Sequence, residues 1–364
     1  MGKVEDLLKM MLLKEASDLY LKVGCPPCFR IYGKLFPEGD QNLTPADMTS
    51  FVKEILTEDQ ERQFQDNLEL DISMSMGGVG RFRANAYYQR GTIGMVFRSI
   101  KSSVPNFEEL GLPTKVLETL CRESRGLVLV TGSTGCGKST TLASMVDFIN
   151  THMEKHILSI EDPIEFVYRD KKSIVSQREV GGDTRSYYYA LRHIMRQTPD
   201  VIYIGDIRDV ETMTSAIQAA ETGQLVLSTL HTINTTQTVE RIINFFPPYQ
   251  HHEVRLQLSL LLKGVLSLRL VPRKDGKGRI PACEVMLLTP TIRGLIHDGL
   301  TIQIPSFIQD GAIFGMQTFQ QALISLYQTG KITLEDARMN ADNKDELDLA
   351  LKGFHSGAKG FTGR

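Results

Sequence analysis

The sequence has no tryptophan, only five cysteines, and a nearly balanced charge of −2 at pH 7. Each shortage narrows the reading. So few cysteines fit a reducing compartment. Without net positive charge there is no global field suited to a nucleic-acid backbone, so helicase and recombinase readings lose support and no nucleic-acid partner is expected. No apolar run approaches the ~18 residues that would span a membrane. The start, Met1–Leu13, mixes Lys3, Glu5, Asp6 and Lys9 among its apolar residues and lacks a small-residue cleavage site, unlike a secretory signal. The expectation is a cytoplasmic protein with no direct membrane span, peripheral to any membrane only through partners. At 364 residues there is room for two or three domains.

What is present is a phosphate-binding loop. Residues 132–139 read GSTGCGKS, after the apolar run Leu127–Val130 and before a helix expected over Thr140–Asn150. Gly132, Gly135 and Gly137 let the backbone curl, so that N–H groups of Ser133, Thr134, Cys136 and Thr140 join theirs around the phosphates. Lys138 reaches the β- and γ-phosphates, Ser139 offers a hydroxyl to Mg²⁺, and the helix N-terminus favours negative charge. ATP and Mg²⁺ are therefore the expected ligands.

Around this loop the pattern alternates strand and helix. Strands are expected near 127–130, 157–161, 173–176, 200–205 and 225–229, which implies an α/β, mostly parallel sheet covered on both faces. Before it, residues 1–100 read as a small α+β domain: an amphipathic first helix, short strands and a helical stretch over Ala46–Gln65. Lys101–Pro113 reads as a linker, 114–285 as the nucleotide-binding core, 286–352 as a helical part, and 353–364 as a glycine-rich flexible tail.

Three strand ends deliver polar groups. Val201–Ile204 ends at Gly205-Asp206, where Asp206 is placed to hold Mg²⁺. Ile157–Ile160 ends at Glu161, a candidate to orient or deprotonate the attacking water. Leu225–Thr229 runs to His231, which reads either as a γ-phosphate sensor or as an ordinary satisfied polar residue. Arg192 and Arg196, four apart on an expected helix, share a face. Arg81 and Arg83 share a strand face, and Arg98 ends the next strand. These arginines form either a solvated basic surface or fingers that stabilise phosphoryl transfer. Cys25-Pro-Pro-Cys28 has C-x-x-C spacing, yet its two prolines suit a turn between strands.

Together these motifs resemble the secretion-ATPase superfamily, and within it the type IV pilus retraction ATPases of the PilT/PilU kind, over nearly the whole chain. The resemblance is carried by KEASDLYLKVGCPP at 14–27, GRFRANAYYQRG at 80–91, the loop, SIEDPIEFV at 159–167 and QREVGGDT at 177–184. It continues through ALRHIMRQTPDVIYIGDIRDVET at 190–212, AAETGQLVLSTLHT at 219–232 and GMQTFQQAL at 315–323. It implies a PAS-like N-terminal domain, a RecA-like ATPase core and a homo-hexamer driving pilus retraction and twitching motility. An inner-membrane pilus platform protein and a paralogous retraction ATPase are the implied partners. Arg83 and Arg98 match arginines that reach a nucleotide at a domain interface.

The sequence departs from that family in three places. Asp206 stands where retraction ATPases carry Glu, and Gln224 where they carry His; both bear on hydrolytic competence and imply slow turnover. TIRGLIHDG at 291–299 follows the retraction signature only in part and leans to the PilU-like branch. Two other readings stay open. One is a weakly hydrolysing ring subunit acting with a paralogue. The other is a pilus assembly or type II secretion ATPase, whose longer N-terminal region and four-cysteine zinc insert are not visible in this sequence.

Overall fold

Val4, Leu7, Leu8 and Met11 lie on one face of the first helix, α1 (Val4–Leu13), and all four are buried. The structure is a computed structural model and describes residues 4–77, 79–100 and 103–352. The chain divides into two units, Met1–Ser103 with Pro163–Val167, and Val104–Asp162 with Tyr168–Arg364.

The first unit is a six-stranded antiparallel sheet in the order β3–β2–β1–β6–β5–β4. Its strands are β1 (Asp18–Lys22), β2 (Cys28–Ile31), β3 (Lys34–Pro37), β4 (Glu69–Met76), β5 (Gly80–Gln89) and β6 (Thr92–Ser99). Alternate residues Leu19, Leu21, Phe82, Ala84, Met95 and Phe97 form a core with α1, α2 (Pro45–Ile55) and α3 (Glu58–Asn67). The single helical stretch expected over Ala46–Gln65 is two helices. Leu56 is extended, and Thr57 starts α3 with a capping box to Gln60, as Thr44 starts α2 with one to Asp47. Strand β3 is exposed at all four positions, so no alternation announces it in the sequence. Cys25 lies in the turn after β1 and Cys28 opens β2, both as free thiols. Among the described residues no group of three or more His, Cys, Asp or Glu is placed to hold a metal.

The second unit carries a seven-stranded sheet, order β13–β12–β7–β11–β10–β8–β9. Six strands are parallel: β7 (Gly126–Gly132), β8 (His156–Glu161), β9 (Ile174–Glu179), β10 (Val201–Ile204), β11 (Leu225–Leu230) and β12 (Leu262–Pro272). The edge strand β13 (Arg279–Leu287) is antiparallel to β12, and this last hairpin was not among the expected strands. β7, β10 and β11 are buried along their whole length, as strands covered on both faces must be.

The covering helices include α4 (Phe107–Leu110), α5 (Thr114–Cys121), α6 (Lys138–His152), α7 (Tyr187–Ile194), α8 (Val210–Glu221), α9 (Thr235–Ile243) and α10 (His251–Leu261). The expected linker thus holds α4, capped by Asn106 and closed by left-handed Gly111, while Lys101 and Ser102 lie outside the described residues. The helical C-terminal part runs through α11 (Pro290–His297), α12 (Ile304–Gln309), α13 (Phe319–Gln328), α14 (Leu334–Asn340) and α15 (Lys344–Leu351). There Phe319, Leu323 and Leu347 share a core with Val271 and Ile280 of the edge hairpin. The expected tail at 353–364 lies outside the described residues. Among those residues no helix is long and apolar enough to cross a membrane.

Candidate active site

The sheet order places β7, β11, β10 and β8 side by side, so their C-terminal ends form one continuous edge. That edge carries the loop after β7, then His231, Asp206 and Glu161. Ligands of parallel α/β sheets bind at this end, where strands hand over to helix N-termini.

The loop leaves β7 through Gly132, whose φ is +139°. A Cβ there would stand 2.6 Å from the Leu268 carbonyl oxygen and 2.5 Å from Cys136 Sγ, so only glycine fits. Cys136 is buried, and burial pushes its thiol pKa up. It therefore packs as a small neutral side chain. Gly137, with φ +100°, caps α6 without any side-chain hydrogen bond, leaving the first N–H groups of the helix for an anion. Lys138 opens α6. Its ammonium donates to Gly132 O at 2.9 Å and Ser133 O at 3.1 Å and lies 3.4 Å from His231 Nδ1. Ser139 and Thr140 follow in the first turn, half-buried.

Asp206 is buried, and its carboxylate is met by three donors. Arg208 Nε donates to Oδ2 at 2.7 Å, His231 Nε2 lies 3.0 Å from the same oxygen, and Thr229 Oγ1 donates to Oδ1 at 3.1 Å. The hydrogen bond to Asp206, and then the charge of that carboxylate, raise the pKa of Arg208 above its ordinary value. Gly205 permits this crowding, because a Cβ there would come 2.9 Å from Tyr187 Oη and 3.3 Å from Glu161 Cα. Burial pushes the Tyr187 phenol pKa up, and Asp162 and Asp206 push it further the same way. The phenol stays a neutral donor beside the carboxylates. Glu161, also buried, accepts from Ser159 Oγ at 2.7 Å and Gln177 Nε2 at 3.1 Å.

The structure thus brings Lys138, His231 and Asp206 into direct contact and sets Glu161 one strand further along. The Ser139 hydroxyl and the Asp206 carboxylate, the latter through an intervening water, are the side-chain groups at this edge that would hold Mg²⁺. One hydroxyl and one water-bridged carboxylate, completed by phosphate oxygens and water, suit an ion that prefers to retain waters, and no three-carboxylate cage is needed.

Arg192 and Arg196 do not share one helix. α7 ends at Ile194, and Met195–Gln197 tightens to a 3₁₀ turn ending in left-handed Thr198. Both arginines are exposed, and among the described residues no hydrogen bond or ion pair ties either to the loop. Arg83 and Arg98 belong to the first unit, where they lie directly opposite each other on β5 and β6. Gln224 precedes β11, at the far end of the strand that leads to His231; its Oε1 accepts from Thr222 Oγ1 at 2.9 Å. The six residues of β11 separate it from His231 by roughly 20 Å. Its departure from the family pattern therefore does not touch this site. The partners Arg208, Thr229, Gln177 and Tyr187 were not picked out from the sequence. Arg208 had a usable signal, an arginine two residues beyond the strand-end carboxylate.

Comparison with known proteins follows the same lines. Residues 59–289 match the family described as type II/IV secretion system protein. The type IV pilus ATPase PilU of Pseudomonas aeruginosa is 45% identical, covering 96% of this chain and 91% of its own length. The type IV pilus retraction ATPase PilT of the same organism is 43% identical, covering 93% and 98%. A crystal structure of the pilus retraction motor PilT with bound ADP superposes with a TM-score of 0.87 at 44% identity, covering 96% of this chain and 99% of that one.

Proposed function

We infer a pilus motor role for this chain, which belongs to the type II/IV secretion system protein family and within it to the PilT/PilU-type ATPases. We propose that it hydrolyses MgATP as a homo-hexamer and drives pilus retraction against an inner-membrane platform protein from the cytoplasmic side. The observation that carries the reading is the Lys138–His231–Asp206 contact at one sheet edge, with Glu161 alongside.

In this reading the free N–H groups at the start of α6 and Lys138 hold the β- and γ-phosphates. Mg²⁺, held by Ser139 and Asp206 with the phosphates, supplies charge neutralisation. Glu161 orients water, and His231 reports on the γ-phosphate. Arg83 and Arg98 meet the nucleotide of a neighbouring subunit.

A second reading, a slow ring subunit that works with a paralogous retraction ATPase, is favoured by Asp206 in place of glutamate. Steady-state turnover of the purified protein, alone and mixed with a retraction ATPase, separates the two. Mg²⁺-dependent hydrolysis by the chain alone, lost in Lys138→Ala, supports the first. Turnover only in the mixture supports the second, and nucleotide hydrolysis unaffected by Lys138→Ala overturns both.

A further inference from the structure

Asp18 takes no part in the nucleotide site, yet it is buried, with 4% of its side chain exposed. The register of the first sheet explains this. On β1, Asp18 faces Arg98 of β6 on one side and Arg30 of β2 on the other, and Arg98 in turn faces Arg83 of β5. The row lies on the sheet face turned away from the helices, since the alternate residues Leu19, Phe29, Phe97 and Phe82 enter the helical core. Three guanidinium groups and one carboxylate therefore share one line across four strands.

The contacts within the row are unequal. Asp18 Oδ1 accepts from Arg98 Nε at 2.8 Å. Its Oδ2 accepts from Ser17 Oγ at 2.8 Å and lies 3.5 Å from Arg30 Nε. Arg30 Nε donates instead to Tyr20 Oη at 2.8 Å, and its guanidinium lies over that ring. The closest charge contact of Asp18 is thus with Arg98, whose side chain is 67% exposed.

We propose that Asp18 is the positioning residue for Arg98. With Nε bound to a buried anion, the guanidinium is held at its root, and both terminal nitrogens remain for bidentate contact with a phosphate. The same charge offsets the repulsion between Arg98 and Arg83, which stand directly opposite each other. A free arginine on a sheet face samples many rotamers; an anchored one is already oriented when the phosphate arrives. This inference rests on the reading of Arg98 as the arginine that meets a neighbouring subunit's nucleotide.

The test is a double-mutant cycle in the full chain with Asp18→Asn, Arg98→Ala and the double variant. kcat and KM for ATP are measured beside hexamer mass and thermal melting. Asp18→Asn is expected to lower kcat about tenfold with KM within about threefold, and the double variant to be no slower than Arg98→Ala alone. Losses that multiply would show that Asp18 acts elsewhere and overturn the assignment. Wild-type turnover in Arg98→Ala would remove the arginine reading itself, and this inference with it. If Asp18→Asn melts below the assay temperature, the same cycle with Asp18→Glu decides by the same criterion, because it keeps the charge and moves it by about 1.5 Å.

Discussion

His231 stands 3.0 Å from Asp206 through Nε2. Its other ring nitrogen lies 3.4 Å from the Lys138 ammonium. An ammonium has only protons to give, so Nδ1 must accept and Nε2 must carry the hydrogen that Asp206 receives. The geometry thus selects the neutral Nε2–H tautomer and makes His231 a bridge between the phosphate-binding cation and the strand-end carboxylate. A γ-phosphate drawing Lys138 toward itself changes what Nδ1 meets.

His231→Ala should therefore leave ATP binding within a few-fold of wild type and lower kcat about 100-fold, since the bridge acts on alignment rather than on affinity. Binding of ATP, ADP and a non-hydrolysable analogue by titration calorimetry, with steady-state kinetics, checks this. Unchanged kcat would return His231 to the role of an ordinary satisfied polar residue.

This site was legible from the sequence where one residue type is tied to one geometry. Gly132 and Lys138 declare themselves because the loop tolerates no substitute, and Asp206 and His231 because each ends an apolar strand. The hydrogen-bond partners were not legible. Thr229 and Gln177 become informative only once parallel pairing places β11 beside β10 and β9 beside β8. The edge hairpin β12–β13 was lost for a related reason. Leu262–Val271 carries Lys263 and Arg269 within an apolar run, and neither helix nor strand periodicity wins there. The single helix expected to carry both Arg192 and Arg196 is not one α-helix, because α7 ends at Ile194 and Arg196 lies in the 3₁₀ turn that follows.

Arg83 and Arg98 lie in a different unit from the loop. If they act on a neighbour's nucleotide, two inactive variants should complement each other in a mixed ring, one carrying Lys138→Ala and the other carrying both Arg83→Ala and Arg98→Ala. At an equal mixture about a quarter of the sites should join an intact loop to a neighbour's intact arginines, measured by ATP turnover in co-assembled rings of fixed total concentration. No recovery of turnover in the mixture would mean that each subunit completes its own site.

Gly205 tests the packing that sets Asp206 in place. Adding a methyl puts Cβ 2.9 Å from Tyr187 Oη, and 3.3 Å from the Ile160 carbonyl oxygen. Gly205→Ala should cost about 1–3 kcal/mol, the usual range for overpacking a filled interior. Removing the phenol oxygen with Tyr187→Phe should recover part of that loss, because the remaining contacts are longer. Chemical denaturation of the single and double variants measures both. Independent, additive losses would show that the ring is not what the methyl meets.

Asp206 carries the question of whether this chain is a full motor. Aspartate reaches about 1.5 Å less far than the glutamate of the family pattern. Taken alone, that predicts a misplaced carboxylate and slow turnover. The surroundings argue otherwise. Arg208, His231 and Thr229 meet Asp206 at 2.7, 3.0 and 3.1 Å, so the donors are already set for the shorter side chain. A glutamate would carry its carboxylate past Thr229 and break the bridge from His231. Asp206→Glu is therefore expected to lower kcat about 10- to 100-fold, the usual result of a displacement near 1 Å at reacting groups. MgATP affinity should change little, because ligation through water tolerates the added length. Glu161→Gln should nearly abolish hydrolysis while leaving binding intact, since it keeps the shape of the side chain and removes its basicity. Pre-steady-state turnover with calorimetric binding distinguishes these losses. A rise in kcat with Asp206→Glu would mean that the short side chain limits the wild-type protein, and the slow paralogue-dependent reading would then replace that of an independent motor.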